Sequence, residues 1–253
     1  MRPNRLRELF AQKKPAVVAW MSFASSYAAE VIGHSGVDAV TLDLQHGPIY
    51  LDAALPMLQA ISATPAMPMV RCSGNNFAEI GKLLDAGAYS VICPLIEDAE
   101  DARRFVAACR YPPHGTRSHG PTRGLLYGGP DYWFKANETI VTWGMIETPQ
   151  SLKNLDAICS VEGLDGVFVG PADLSISLGS VPPVKWREAP LAPALERILT
   201  SARAAGKMTG IFCTSAEMAA DMRRAGFDML VLANDAAILR GAMMQWATQA
   251  REG

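Results

Sequence analysis

Four apolar runs in this 253-residue chain end on side chains that can do chemistry. Val40-Thr41-Leu42 runs into Asp43-Leu44-Gln45-His46-Gly47-Pro48, and Met69-Val70 ends on Arg71. Gly144-Met145-Ile146 ends on Glu147-Thr148-Pro149, and Val167-Phe168-Val169 leads through Gly170-Pro171-Ala172 to Asp173-Leu174-Ser175. A strand buried on both faces has no use for a charge in its middle. A charge at its end is a helix cap, an ion pair or part of a site. Asp173 in isolation also reads as a cap, and its functional case leans on Glu147. Four such ends, each on its own run, are better explained by one shared site.

Two carboxylates without cysteine or a dense histidine cluster form a hard, oxygen-rich set, which suits Mg2+ or Mn2+, with Co2+ or Zn2+ as substitutes. An arginine beside such an ion can grip a carboxylate and stabilise an oxyanion. A histidine partnered by Asp43, or by a carboxylate from a neighbouring strand, can move a proton near neutral pH. Together these groups are equipped to enolise a keto acid.

The elements that must position them follow from periodicity. Uniformly apolar segments predict strands at Ala16–Met21, Ala39–Leu42, Pro68–Arg71, Ser90–Cys93, Val141–Ile146, Gly166–Val169, Met208–Phe212 and Met229–Leu232. Amphipathic stretches predict helices at Leu51–Ala63, Ala78–Ala86, Ala99–Cys109, Leu191–Ala205 and Ala216–Ala225. Gly87, Gly206 and Gly226 follow three of them as helix stops. Eight strands alternating with helices predict a single (β/α)8 barrel domain over residues 1–253, an α/β TIM barrel. An open doubly wound sheet would carry a Gly-rich turn after an early strand, whereas the first strand ends in Ser22-Phe23-Ala24-Ser25. Two longer gaps, around Arg110–Thr139 and Pro171–Pro190, read as insertions after strands, which places both on the face where barrels carry their sites.

Composition narrows the function classes. The chain has 23 Lys+Arg against 25 Asp+Glu, a net charge of −2, so nucleic acid is not the expected partner. Hydrophobic residues at 49% and charged ones at 19% suit a packed core rather than disorder. No apolar run reaches the ~18 residues of a membrane span, and the basic start MRPNRLRELFAQKK reads as an amphipathic helix rather than a signal peptide. Five widely spaced cysteines (Cys72, Cys93, Cys109, Cys159 and Cys213) without a CxxC pair predict free thiols and a cytoplasmic setting.

With these residues in view, the sequence resembles the HpcH/HpaI aldolases, metal-dependent class II pyruvate aldolases acting on 2-keto-4-hydroxy acids. The resemblance covers nearly the whole chain. It rests on Leu42–Pro48, Val70-Arg71, Lys82–Ala88, Cys109–Arg117, Met145–Thr148 and above all the long stretch Val161–Gly179. It implies a barrel of the phosphoenolpyruvate/pyruvate type, reversible cleavage to pyruvate (or a related 2-keto acid such as hydroxypyruvate) and an aldehyde, and a homohexamer built as a trimer of dimers with an exchanged C-terminal helix. Carried over by position, Glu147 and Asp173 match the metal ligands and Arg71 the arginine on the pyruvate oxygens. His46 matches the catalytic histidine, acting directly or through a water, with Asp43 and Asp85 in its network. Gly170, Pro171 and Ala172 match the loop whose amides hold the substrate carboxylate, and Gln45 and Phe212 complete the substrate-contacting set. Gln45 departs from the glutamate that many members carry, which removes a charge near the metal.

Two other enzyme readings use similar chemistry. An oxaloacetate-type decarboxylase would use the same apparatus on the carbanion left by departing CO2. A Schiff-base aldolase needs a lysine at the C-terminal end of a strand, and only Lys207 touches one, at its start. A non-catalytic binding protein on the same scaffold would not need the acid–base residues. His114 and His119 read as loop-packing histidines, Trp143 as packing beneath the rim, and Ser175 and Ser177 as caps or packing. The segment Ala236–Ala247 has apolar residues at helical spacing; it either packs on its own sheet or crosses to a partner chain.

Overall fold

The computed structural model describes residues 1–252. Eight parallel strands close into a barrel in sequence order: β1 (Ala16–Met21), β2 (Ala39–Asp43), β3 (Met67–Arg71), β4 (Ser90–Cys93), β5 (Val141–Ile146), β6 (Gly166–Val169), β7 (Met208–Phe212) and β8 (Met229–Asn234). The expected strands are all present. β2 reaches Asp43, β3 begins at Met67 and β8 runs on to Asn234.

Helix α1 (Arg5–Ala11) precedes the barrel, and α2 (Ser26–Gly33), α3 (Leu51–Ser62), α4 (Phe77–Asp85) and α5 (Ala99–Cys109) follow the first four strands. α6 (Thr122–Gly128) and α7 (Tyr132–Thr139) lie between α5 and β5. α8 (Pro149–Lys153) and α9 (Leu155–Cys159) follow β5, and α10 (Pro171–Ser177) and α11 (Leu191–Ala204) follow β6. α12 (Ala216–Ala225) and α13 (Asp235–Glu252) complete the chain. Gly87, Gly206 and Gly226 take positive φ values of 101°, 66° and 96°, which lets the chain leave α4, α11 and α12 without a Cβ clash.

Strand alternation sorts the apolar residues into two cores. One fills the barrel with Val18, Met69, Ile92, Trp143, Met145, Phe168 and Val231. The other lies between strands and helices and includes Val40, Leu42, Val70, Val91, Ile146, Val167 and Leu230. Leu6 and Phe10 of α1 pack against the barrel interior, with Phe10 edge-on to Trp143 at 5.7 Å. Trp143 is fully buried, though towards the end covered by α1 rather than beneath the C-terminal rim, and its indole N–H donates to Ser90 Oγ, at the start of β4, at 3.0 Å.

One expected placement is corrected. The segment around Arg110–Thr139 does not decorate the C-terminal face. It runs from the end of α5 to the start of β5, so α6 and α7 sit at the N-terminal end of the barrel. There the side chain of Asn4, the N-cap of α1, donates to the carbonyls of Tyr89 and Thr139, and the amide of Arg2 donates to Gly128. The reason is local: Asp98 caps α5 directly after β4, so the inserted residues follow the helix. The insertion around Pro171–Pro190 does begin straight after β6, on the C-terminal side.

Candidate active site

Parallel pairing decides which side chains meet. Asp43 is the register partner of Arg71 across β2 and β3, and both side chains face inward at the C-terminal end of the barrel. Both residues are buried, at 3% and 7% exposure. Arg71 Nε and Nη2 donate to the two Asp43 oxygens at 2.8 and 2.6 Å, a bidentate pair. Asp43 also accepts from the Trp20 indole N–H at 3.2 Å and from the backbone amides of Gln45 and His46. Burial alone would raise the Asp43 carboxyl, but the hydrogen bonds and charge of Arg71 outweigh it and hold the group below the usual carboxylate range.

Asp43 and Arg71 open onto a cavity of about 190 Å3. Seven other expected or neighbouring groups reach the same space: His46, Gly170, Pro171, Ala172, Asp173, Phe212 and Asn234. Trp20, Met145 and Phe168 complete the lining. Gly170 follows β6 directly, and Pro171 opens α10, so the free first-turn amides of Ala172 and Asp173 point out of the helix start. Pro171 has no N–H, and its contribution is shape rather than a hydrogen bond.

Glu147 stands just behind Gly170, where a Cβ would fall 2.9 Å from its Oε2. The side chain is buried and takes one hydrogen bond, from the Leu95 amide to Oε1 at 2.8 Å. Burial pushes its carboxyl above the usual range, and the nearby Asp173 charge adds to the rise; the Leu95 amide offsets only part of it. A buried carboxylate repelled by a second carboxylate is a place where a cation is favourable. The donor set of Glu147 and Asp173 is all oxygen, which fits a hard divalent ion. Among the described residues no group of three or more His, Cys, Asp or Glu gathers into a metal site.

The other expected site residues are placed differently. His46 lines the cavity and is exposed, but Asp43 touches it through the backbone amide rather than the imidazole, because the Asp43 carboxylate is spent on Arg71 and Trp20. Asp85 is not brought to His46 within the chain. It closes α4, whose C-terminal end feeds β4 at the opposite end of the barrel, and it accepts from the buried Arg117 at 2.8 Å. Gln45 is half-buried and is not among the residues lining the cavity, and its Oε1 has no hydrogen-bond partner. Lys207 donates to the carbonyls of Val161 and Leu164 at the start of β7, and no lysine lines the cavity. His119 packs edge-on against Trp133 at 4.7 Å, in keeping with a loop-packing role. All five cysteines are buried and free; burial raises the Cys109 and Cys213 thiols to about 12, which removes them as nucleophiles.

Trp20 and Asn234 went unnoticed in the sequence. The signal for Trp20 is its period-two spacing from Ala16 and Val18, which makes it the last inward position of β1, within reach of Asp43 and Arg71. Asn234 ends β8, and its Oδ1 accepts from the Ala237 amide at the start of α13.

Comparison with known proteins finds relatives along nearly the whole chain. The sequence model described as HpcH/HpaI aldolase/citrate lyase matches residues 16–242. A hydroxypyruvate/pyruvate aldolase from Rhizorhabdus wittichii is 41% identical over 98% of this chain and 99% of its own. A 4-hydroxy-2-oxo-heptane-1,7-dioate aldolase from Salmonella dublin is 35% identical over 94% of this chain and 92% of its own. The crystal structure of an HpcH/HpaI aldolase/citrate lyase family protein from Burkholderia cenocepacia superposes with a TM-score of 0.92 at 30% identity, covering 98% of this chain and 99% of that one.

Proposed function

The chain belongs to the HpcH/HpaI aldolase/citrate lyase family, and from that premise we propose that the cavity above β2, β3, β5 and β6 cleaves 2-keto-4-hydroxy acids. It is a carbon–carbon lyase of the aldolase kind, releasing pyruvate or a related 2-keto acid together with an aldehyde. The observation that carries the site assignment is the convergence of Arg71, Asp173 and His46 on one cavity, with Glu147 directly behind it.

Each group has a task set by its surroundings. Arg71 spends Nε and Nη2 on Asp43 and keeps Nη1 free of protein partners, so it can donate to the oxygen that gains charge as the enolate forms. Asp43 orients that guanidinium and keeps its charge in place. The first-turn amides of Ala172 and Asp173, at the positive end of a short helix, receive the substrate carboxylate. His46, exposed at the cavity edge, exchanges a proton with the C4 hydroxyl or the substrate methyl, directly or through a water. Phe212 walls the aldehyde end, and Gln45, one residue before His46 in the chain, adds no charge. Glu147 and Asp173 would hold a divalent ion, Mg2+ or Mn2+ by donor type, which when bound supplies a Lewis acid for the keto oxygen.

Assembly belongs to the same reading. In α13 only Asp235 is buried, while Ile238, Leu239, Met243, Met244 and Trp246 are each more than half exposed. That apolar face is left off its own barrel, which favours the crossing alternative: a homo-oligomer, a hexamer by family resemblance, whose last helix packs on a neighbour. Among the described residues no helix is long and apolar enough to cross a membrane. A chain cut before Ala236 is expected to lose assembly and activity together. Light scattering on an active single chain would refute this. For the reaction itself, pyruvate release from a panel of 2-keto-4-hydroxy acids should stop on adding EDTA and return with Mg2+ or Mn2+. Undiminished turnover in EDTA would refute the metal assignment, and no cleavage of any member would refute the site.

A further inference from the structure

Trp20 touches both members of the charged pair at the cavity. Its indole N–H donates to Asp43 Oδ2 at 3.2 Å, and the Arg71 guanidinium carbon stands 4.7 Å from the centre of its ring. The indole is itself held: Phe168 stacks on it at 6.0 Å with 12° between planes, and Phe212 meets it edge-on at 5.6 Å. At 4% exposure it has little room to turn. A guanidinium bound only to one carboxylate can swing with that carboxylate. A ring lying against the cation and hydrogen-bonded to the anion removes the swing.

We propose that Trp20 is a positioning residue for Arg71, fixing the direction of the guanidinium edge that faces the keto oxygen during enolisation. This rests on reading the cavity as the keto-acid site. In the step concerned a base takes a methyl proton from pyruvate, the C–H pair becomes the C=C bond, and the carbonyl pair moves to the oxygen faced by Arg71. In D2O the reverse step returns deuterium to the methyl group, so exchange reports enolisation without any aldehyde.

The test follows the pyruvate methyl signal by proton NMR in D2O, using the full-length enzyme supplied with Mg2+ or Mn2+. Trp20→Phe keeps a ring against Arg71 but loses the N–H. It should slow exchange about tenfold, on the scale expected when a catalytic group is slightly misplaced. Aldol cleavage kcat should fall by the same factor, with little change in the KM for aldehyde in the synthetic direction. Trp20→Leu, lacking the ring as well, should be slower again, and Trp20→Tyr replaces Phe if that variant does not fold. Adding Trp20→Phe to Arg71→Lys should cost less than about twofold beyond Arg71→Lys alone, because both changes act through one guanidinium. Exchange at the wild-type rate in Trp20→Phe, with only aldehyde KM altered, would make Trp20 a wall residue and overturn the proposal. So would factors that multiply in the double variant. No exchange in the wild-type enzyme would instead overturn the keto-acid reading on which the proposal stands.

Discussion

Replacing Arg71 by alanine should cost rate and stability together, with the stability loss growing as pH rises. On the rate side, loss of one preorganised oxyanion donor typically costs about 10²–10³ in turnover. On the stability side, Asp43 is 3% exposed and would keep its burial while losing two short charge-assisted bonds. Breaking a buried pair from one side costs about 3–5 kcal/mol. At about 2–4 °C per kcal/mol for a chain of this size, Tm should fall by about 6–20 °C near neutral pH. The pH dependence follows from the sign of the Asp43 shift. In the wild type its carboxyl is held low, so its stabilisation is present above the unfolded value of about 3.9 and is lost only as pH falls through the folded value. Without Arg71 burial is opposed only by the smaller contributions of the His46 amide and the Trp20 indole, and the carboxyl is expected to move above its unfolded value. Its favourable state is then the protonated one, so stability declines as pH rises from about 4. The Tm gap between wild type and Arg71→Ala should therefore be small at pH 4 and widest at pH 7–8 by scanning calorimetry. Adding Asp43→Asn to Arg71→Ala should recover part of the lost Tm and none of the activity. A gap that stays flat across this range, or a double variant less stable than Arg71→Ala, would refute the reasoning.

Glu147→Gln and Asp173→Asn should each abolish turnover while the protein stays folded. Because the Glu147 carboxyl is raised, its contribution favours the fold below about pH 4.3 and is lost as pH rises through the folded value. Metal-free Glu147→Gln should thus match or exceed the wild-type Tm at pH 7, with the difference closing toward pH 4; a lower Tm at pH 7 would contradict the burial argument. Gly170→Ala places a Cβ 2.9 Å from Glu147 Oε2 and 3.0 Å from Met145 Cε, so Glu147 must move. The shift needed is small, so kcat should fall by less than the roughly 10²-fold of a ~1 Å misplacement, and steady-state kinetics showing unchanged kcat together with an unchanged metal requirement would place Glu147 outside the site.

Much of the barrel was legible because buried parallel strands are apolar throughout and their ends are punctuated by charge. Asp43, Arg71, Glu147 and Asp173 all stood out for that reason. What periodicity could not supply was the face on which added residues land. The helix at Ala99–Cys109 precedes the gap at Arg110–Thr139, so those residues leave from the helix end, at the N-terminal face of the barrel. Partner choice was equally hidden. Asp43 could serve His46 or Arg71, and the register of β2 on β3 gives it to Arg71. Asp85 matched a family position, yet within one chain the end of α4 lies away from the rim. Trp20 looked like core, since an aromatic in an apolar run carries no mark of which neighbour its N–H will meet.

The two ends of the barrel both gather charge, and the state of their hydrogen bonds separates their roles. At the N-terminal end Asp165 accepts from Arg7, from Arg110 and from the amide and hydroxyl of Thr142. Arg110 in turn donates to the carbonyls of Ile140 and Gly163 as well as to Asp165. Arg117, also at that end, lies over the Tyr111 ring at 4.4 Å, with its Nε and Nη1 and the Tyr111 hydroxyl left without hydrogen-bond partners. The group around Asp165 is closed on itself and holds the insertion and α1 against the strands. At the C-terminal end Glu147 keeps one oxygen free, Arg71 keeps Nη1 free, and the two amides that open α10 have no carbonyl to bind. Polar groups left open in a buried setting are costly unless something fills them. Here the open donors line one cavity and the open carboxylate oxygen stands directly behind it, which supports the proposed occupant carrying both charge signs: an anionic keto acid with a cation.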